Sequence, residues 1–101
     1  MPSTTPHYPL EQVQELARAG MVRITAVAFE GAFELGLQDE IVPVILALTP
    51  ADCAKTMPDR RFPGEYQDVY KPEYRDMDLY IKLKIKDGRQ LVVEIVSFKA
   101  R

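Results

Sequence analysis

The sequence predicts an α+β domain in which N-terminal helices pack on one face of a C-terminal antiparallel sheet. The 101 residues, 47% of them hydrophobic, are enough for one small globular domain with a single core, so residues 1–101 form one domain. Apolar residues recur at helical spacing in the first half of the chain and alternate with polar ones from residue 79 onward. Helices that precede strands in this way are typical of the α+β class.

Two helices are predicted before residue 36. The apolar residues of the first segment share one helical face: Leu10, Val13, Leu16 and Ala17. This segment, Pro9 to Ala19, ends at Gly20, which suits a helix C-terminus. A short strand over 21–24 follows. Thr25 is then placed to cap a second helix that continues to Leu35 and ends at Gly36.

The next stretch carries two further helix signals. Asp39 can cap a third helix from Glu40 to Leu48, although the β-branched residues there would suit a buried strand equally well. The run Thr49-Pro50-Ala51-Asp52 combines a cap, a proline in the first turn and an acidic residue. It predicts a short helix to about Thr56, closed by Pro58, with Lys55 at its end.

The C-terminal third predicts strands. Tyr66 to Tyr70 is aromatic and β-branched, and Leu79 to Lys86 alternates strictly between apolar and polar residues. Asp87-Gly88 marks a hairpin turn, and the returning strand, Leu91 to Lys99, is apolar on both faces and therefore suits a central position. A loop of two or four residues would put Tyr80 and Lys99 on one face, whereas a loop of three would separate them.

Charge is distributed unevenly. The net charge is −2, but residues 1–70 carry five basic against ten acidic groups, and residues 71–101 carry eight against five. A polyanion should therefore meet the C-terminal part, unless its lysines form only a solvated strand face. No apolar run approaches the roughly 20 residues of a membrane span, and the N-terminus lacks the pattern of a secretory signal, so the expected location is the cytoplasm.

The reactive side chains exclude most catalytic classes. His7 is the only histidine and Cys53 the only cysteine, so the sequence predicts no metal site, no cofactor and no disulfide, with Cys53 a small core residue. No glycine-rich phosphate loop is present. Tyrosine, lysine, glutamine and carboxylate remain, and these can act on RNA, which carries its own 2′-hydroxyl nucleophile. The alternative is that Tyr80, Lys82 and Lys84 simply form the solvent-exposed face of a strand and have no part in catalysis.

Five short motifs, taken in order, resemble the MqsR family of bacterial toxins from Thr5 to Lys99. They are Thr5-Pro6-His7-Tyr8, Glu34-Leu35-Gly36-Leu37, Gln67-Asp68-Val69-Tyr70-Lys71-Pro72, Leu79-Tyr80-Ile81-Lys82 and Val96-Ser97-Phe98-Lys99. The resemblance implies a RelE-like fold and a metal-independent mRNA endoribonuclease that leaves 2′,3′-cyclic phosphate and 5′-hydroxyl ends. It also implies a preference for a trinucleotide such as GCU, and a cognate antitoxin, encoded by an adjacent gene, that inhibits the toxin.

Transferred position by position, the resemblance implies a catalytic set of four residues: Lys55, Gln67, Tyr80 and Lys99. His7 is a secondary candidate, and Lys82 and Lys84 are expected to bind the RNA, free or on the ribosome. The two lysines of the catalytic set would neutralise the pentacoordinate phosphorus, Tyr80 would exchange a proton, and Gln67 would orient the ribose or a base edge. Tyr80 and Lys99 serve one active site most simply on the same sheet face, so the resemblance favours a hairpin loop of two or four residues. The rival hypothesis is a catalytically silent module that binds the antitoxin on the same fold.

Overall fold

Three helices precede most of the strands, which confirms the α+β class. The computed structural model describes residues 4–101. The helices are α1 (Leu10–Arg18), α2 (Ala26–Glu34) and α3 (Ile41–Ala47). The strands are β1 (Val22–Ile24), β2 (Cys53–Pro58), β3 (Tyr66–Tyr70), β4 (Glu73–Tyr74), β5 (Met77–Asp87) and β6 (Leu91–Ala100). The first two helices and the strands at β1, β3, β5 and β6 all lie within one or two residues of their predicted bounds.

The predicted helix caps are partly confirmed. The Thr25 side chain accepts a hydrogen bond from the Ala28 backbone N–H at 3.0 Å, as expected of an N-cap. After α2, Gly36 adopts a φ of +71°, a left-handed conformation that ends the helix. Residues 41–47 are helical, which decides between the two alternatives for that segment. The cap of α3 is Glu40 rather than Asp39, so Pro43 lies within the first turn, where its missing N–H costs nothing.

The prediction of a helix from Thr49 to Thr56 is wrong. The Asp52 carboxylate does accept from the Thr49 backbone N–H at 2.8 Å and from its hydroxyl at 3.0 Å. These bonds close only one 3-10 turn, Pro50–Asp52, after which the chain extends as β2. A cap can start a turn but does not decide its length, and pairing with β3 stabilises the extended form here. Lys55 therefore lies on a strand.

The sheet is mixed rather than wholly antiparallel. Its strand order is β1-β6-β5-β3-β2, and β4 pairs with β5 beside this path. The strand β1 runs parallel to β6, whereas the other neighbours are antiparallel. Because β1 and β5 flank β6, that strand occupies the interior position predicted for it.

The β5–β6 hairpin has a three-residue loop and a bulge. Asp87 pairs with Leu91, so the loop is Gly88–Gln90, and the predicted length of two or four residues is wrong. The register then shifts between the pairs Leu83–Ile95 and Lys82–Ser97, which leaves Val96 as an extra residue on β6. A loop with an odd number of residues would by itself put Tyr80 and Lys99 on opposite faces, and the extra residue of the bulge cancels that shift. Tyr80 and Lys99 consequently pair directly and share a face, as predicted.

The core lies between the helices and one face of the sheet. The predicted inward side of β5 is buried along its length: Leu79, Ile81, Leu83 and Ile85. Phe98 and Tyr70 flank Ile81 on the neighbouring strands and are buried on the same face. Within residues 4–101, no helix combines the length and the apolar character needed to cross a bilayer.

Helix α2 covers the edge of β6 where β1 stops. The Thr25 backbone N–H donates to the Ile95 carbonyl at 3.2 Å, and its hydroxyl donates to the Val96 carbonyl at 2.9 Å. Nearly two turns further along α2, a Cβ at Gly31 would lie 1.9 Å from the Phe98 carbonyl oxygen. The helix can therefore approach the strand this closely only because residue 31 is glycine.

Candidate functional site

The predicted catalytic residues lie on the sheet face opposite the core. Residues that pair across strands point to the same side of a sheet. Lys55 pairs with Val69, Val69 with Lys82, and Lys82 with Ser97, so these four side chains form one row across four strands. Tyr80 and Lys99 form the next row, and Gln67 alternates with Val69 to the same side. The register thus brings Lys55, Gln67, Tyr80, Lys82 and Lys99 onto one face.

Tyr80 and Lys99 are in direct contact. The Lys99 Nζ lies 5.1 Å from the centre of the Tyr80 ring, close enough for the ring to attract the ammonium group. Lys99 is exposed and Tyr80 is half-buried, so a ligand on this face can reach both the ammonium and the phenol. An ammonium group and a tyrosine ring therefore lie next to each other on this face.

Gln67 is held by one end of its carboxamide. Its Nε2 donates to Asp59 Oδ2 at 3.0 Å, which fixes the amide orientation. The oxygen of the amide is then the end left to accept a bond from a ligand hydroxyl or amine. Asp59 was not a candidate from the sequence, because its separation of eight residues from Gln67 hides their contact.

The expectation that Lys84 binds RNA is not supported by its environment. Only 1% of its side chain is exposed, and its Nζ lies 2.7 Å from Asp59 Oδ2 and 2.5 Å from Glu65 Oε1. Its ammonium also lies 4.9 Å from the centre of the Phe62 ring. Both carboxylates and the ring enclose the charge, so Lys84 is a structural cation rather than a surface one. Its outward position on β5 is correct, but the loop after β2 covers it.

The ionisation of this pair follows from its contacts. The hydrogen bond from Lys84 is the main cause that lowers the pKa of Asp59 to about 2, against the opposing effect of burial. Burial by itself would lower the pKa of Lys84, but the hydrogen bonds with Asp59 and Glu65 outweigh it and raise the pKa. Both groups are therefore charged at neutral pH.

His7 borders the other side of the sheet. Its ring stacks on Tyr66 with the ring centres 4.3 Å apart, and its backbone N–H donates to Asp68 Oδ1 at 2.9 Å. Tyr66 and Asp68 alternate with Gln67, so they point towards the core face. The structure does not bring His7 together with Tyr80 and Lys99. Its neighbour Tyr8 donates its N–H to the second oxygen of Asp68, also at 2.9 Å, which anchors the N-terminal segment.

Cys53 is a core residue, as predicted. Its side chain is 3% exposed, and burial is the main cause that raises the pKa of its thiol to about 11. A thiol in that environment stays protonated at neutral pH and is a poor nucleophile.

The chain matches the family described as "Motility quorum-sensing regulator, toxin of MqsA" over residues 5–100. It belongs to the MqsR toxin family. A relative from Escherichia coli (strain K12), named mRNA interferase toxin MqsR, is 38% identical over 102 aligned residues that cover all of both chains. The resemblance drawn from the five motifs is thereby confirmed, and the MqsR assignment covers almost the whole of this chain.

This member of the MqsR family also has a polar groove that sequence reasoning missed. It has a volume of about 400 Å³ and is lined by Met57, Pro58, Asp59, Arg60, Arg61, Gln67 and Lys82. The sequence does contain two adjacent arginines, Arg60 and Arg61. They lie far from the C-terminal lysines along the chain, so nothing in the sequence indicated that the two groups of cations are close in space. The groove joins the loop after β2 to the face that carries Tyr80 and Lys99.

Proposed function

We propose that this protein is the toxin of a toxin–antitoxin pair and acts as an mRNA endoribonuclease. The observation that carries the proposal is the contact between Tyr80 and Lys99 on the exposed sheet face, with Lys55, Gln67 and Lys82 on the same face. The family description supports the toxin role, and the name of the E. coli relative, an mRNA interferase toxin, supports the activity on mRNA.

The proposed reaction uses the nucleophile of the substrate. The ribose 2′-oxygen loses its proton and forms a bond to the adjacent phosphorus, while the bond from phosphorus to the 5′-oxygen breaks and that oxygen gains a proton. The products are a 2′,3′-cyclic phosphate and a 5′-hydroxyl. The enzyme has to move two protons and stabilise the charge that accumulates on the phosphoryl oxygens.

Each side chain of the site has a role in this reaction. The ammonium of Lys99 stabilises the charge on the phosphoryl oxygens, and the neighbouring phenol of Tyr80 exchanges a proton with a bridging oxygen. Lys55 supplies a second positive charge from β2, and Lys82 binds the backbone phosphates. Gln67, oriented by Asp59, accepts from the ribose or from a base edge. No metal ion takes part in this scheme.

The biological setting follows from the substrate and the family. The proposed substrate is mRNA, free or ribosome-bound, with a GCU-type trinucleotide as the preferred sequence and the cytoplasm as the expected location. An antitoxin protein encoded by an adjacent gene holds the toxin inactive. Induced expression should then arrest the growth of a bacterial host, and coexpression of the adjacent gene should relieve the arrest.

An RNA cleavage assay with purified protein tests the proposal. An oligoribonucleotide that contains one GCU is incubated in EDTA with the wild type, with Lys99→Ala and with Arg89→Ala, which removes an exposed cation from the hairpin loop. The wild type and Arg89→Ala should release a 5′ fragment one water lighter by mass than the linear 3′-phosphate, and Lys99→Ala should not. Equal cleavage by Lys99→Ala would indicate a contaminating nuclease. A wild type that binds the antitoxin but cleaves no RNA would be the silent module.

A further inference from the structure

The loop between β2 and β3 presents two arginines beside the candidate site. We propose that Arg60 and Arg61, together with Lys82, form a second phosphate-binding subsite that holds the RNA strand next to the scissile linkage. The inference rests on the proposed function, since it takes RNA as the ligand. It adds to that function a groove and two residues outside the catalytic set.

The loop is held in place by the buried carboxylate of Asp59. Asp59 Oδ2 accepts from Lys84 Nζ at 2.7 Å and from Gln67 Nε2 at 3.0 Å, and its Oδ1 accepts from the Arg61 backbone N–H at 2.9 Å. The Asp59 N–H also donates to the Glu65 carbonyl at 2.8 Å, which closes the loop. The backbone of Arg61 and the side chain of Gln67 are thus fixed to one carboxylate. A ligand that meets them loses little entropy in ordering the loop.

The charges of the groove favour an anion. The buried ammonium of Lys84 contacts two carboxylates, Asp59 and Glu65, and balances one of them, so a single negative charge remains against the three cations of the groove. Among residues 4–101, Arg60, Arg61 and Lys82 form no ion pair, and both arginines are exposed. Guanidinium groups suit phosphate oxygens because they can donate two parallel hydrogen bonds. The groove therefore offers three available cations to a phosphodiester.

The position of the groove connects it to the proposed cleavage site. Lys82 lines the groove and lies two residues from Tyr80 on the same face of β5, which is about 7 Å along the strand. Gln67 lines the groove as well and belongs to the proposed catalytic set. A strand bound with one phosphate at Tyr80 and Lys99 can thus place a neighbouring phosphate beside Lys82 and the arginines.

Binding of an uncleavable RNA tests the subsite separately from catalysis. The probe is a fluorescent GCU oligonucleotide with 2′-O-methyl at every ribose, and its affinity is measured by anisotropy across a salt series. The double variant Arg60→Ala/Arg61→Ala should bind at least about tenfold more weakly, and the slope of log K against log salt should fall by about 0.7 for each lost contact to a single strand. The matched control, Arg18→Ala/Arg89→Ala, removes two exposed arginines elsewhere and should bind like the wild type.

Each other outcome would overturn the subsite. An equal loss of RNA affinity in both double variants would show that binding depends only on the net charge of the protein. An unchanged affinity and slope in Arg60→Ala/Arg61→Ala, in a wild type that cleaves RNA, would remove the subsite and leave the proposed function intact. A wild type that neither binds the probe nor cleaves unmodified RNA would remove both.

Discussion

Tyr80 and Lys99 face each other across β5 and β6 because β6 carries one extra residue, Val96. Without the bulge, the three-residue loop would pair Tyr80 with Phe98. Lys99 would then point to the opposite face of the sheet from Tyr80. The bulge therefore builds the contact between ammonium and phenol and keeps Phe98 in the core.

Tyr80→Phe should abolish most RNA cleavage while it preserves RNA binding. Loss of the phenol removes a proton-transfer group, for which a decrease of about 10²–10⁴-fold in kcat is expected. The measurement is single-turnover cleavage of a GCU oligonucleotide, with anisotropy on its uncleavable analogue. Tyr66→Phe, which removes the hydroxyl of an exposed tyrosine near the other face, should cleave normally. Full activity in Tyr80→Phe would exclude tyrosine from the chemistry.

Lys84→Met should destabilise the fold far more than a surface lysine substitution. It leaves the Asp59 carboxylate buried without its ion-pair partner, at a cost of about 3–5 kcal/mol. The double variant Asp59→Asn/Lys84→Met should recover part of this loss, because the buried charge is then gone and only the carboxylate of Glu65, 43% exposed, is left without its partner. Urea unfolding of the wild type, the two single variants and the double variant measures the coupling free energy between Asp59 and Lys84. Lys82→Met on the same strand should change stability by only about 0.5 kcal/mol, and a similar loss there would contradict the assignment.

The Asp59–Lys84 pair should also make stability depend on acid. The pKa of Asp59 is lowered to about 2, so its contribution is complete above the unfolded value of about 4 and is lost as the pH falls from there towards 2. The wild type should lose more stability than Asp59→Asn between about pH 5 and pH 2. Urea midpoints at several pH values measure the difference, and parallel curves for the two proteins would show that Asp59 is not responsible.

Gly31→Ala should destabilise the protein through its contact with β6. The new Cβ would lie 1.9 Å from the Phe98 carbonyl oxygen, so α2 or β6 has to move, at a cost of about 1–3 kcal/mol. Gly88→Ala is the matched control, since nothing lies within 4 Å of a Cβ there. Thermal unfolding compares the two. Because the Cβ of Lys99 is 3.5 Å from the same point, RNA cleavage by Gly31→Ala should also fall.

Features set by local patterns could be predicted from the sequence. The cap at Thr25, the end of α2 at Gly36 and the inward side of β5 each depend on residues a few positions apart, and all three are confirmed. The face shared by Tyr80 and Lys99 was also predicted correctly, although for a loop length that is wrong. Hairpin loops and bulges compensate for each other, and no local signal marks Val96 as the extra residue.

Features set by distant partners could not be predicted. Thr49 and Asp52 form the predicted capping hydrogen bond, yet the residues that follow pair with β3 and form a strand instead of a helix. Lys84 looks like any outward lysine of an amphipathic strand until Asp59, 25 residues earlier, covers it. The candidate catalytic set came from the family resemblance, and the groove beside it became visible only when the loop was placed on the sheet.

The way in which α2 lies along β6 also bears on self-association. A free strand edge can template the addition of a strand from another molecule, which is a common route to aggregation. Here β1 protects only three residues of β6, and the Thr25 and Gly31 contacts bring α2 over the next part of that edge. At the opposite margin, β2 is interrupted at Ala54 and ends in Pro58. Neither margin offers a second copy a long straight template, and this disfavours the addition of a strand from another molecule.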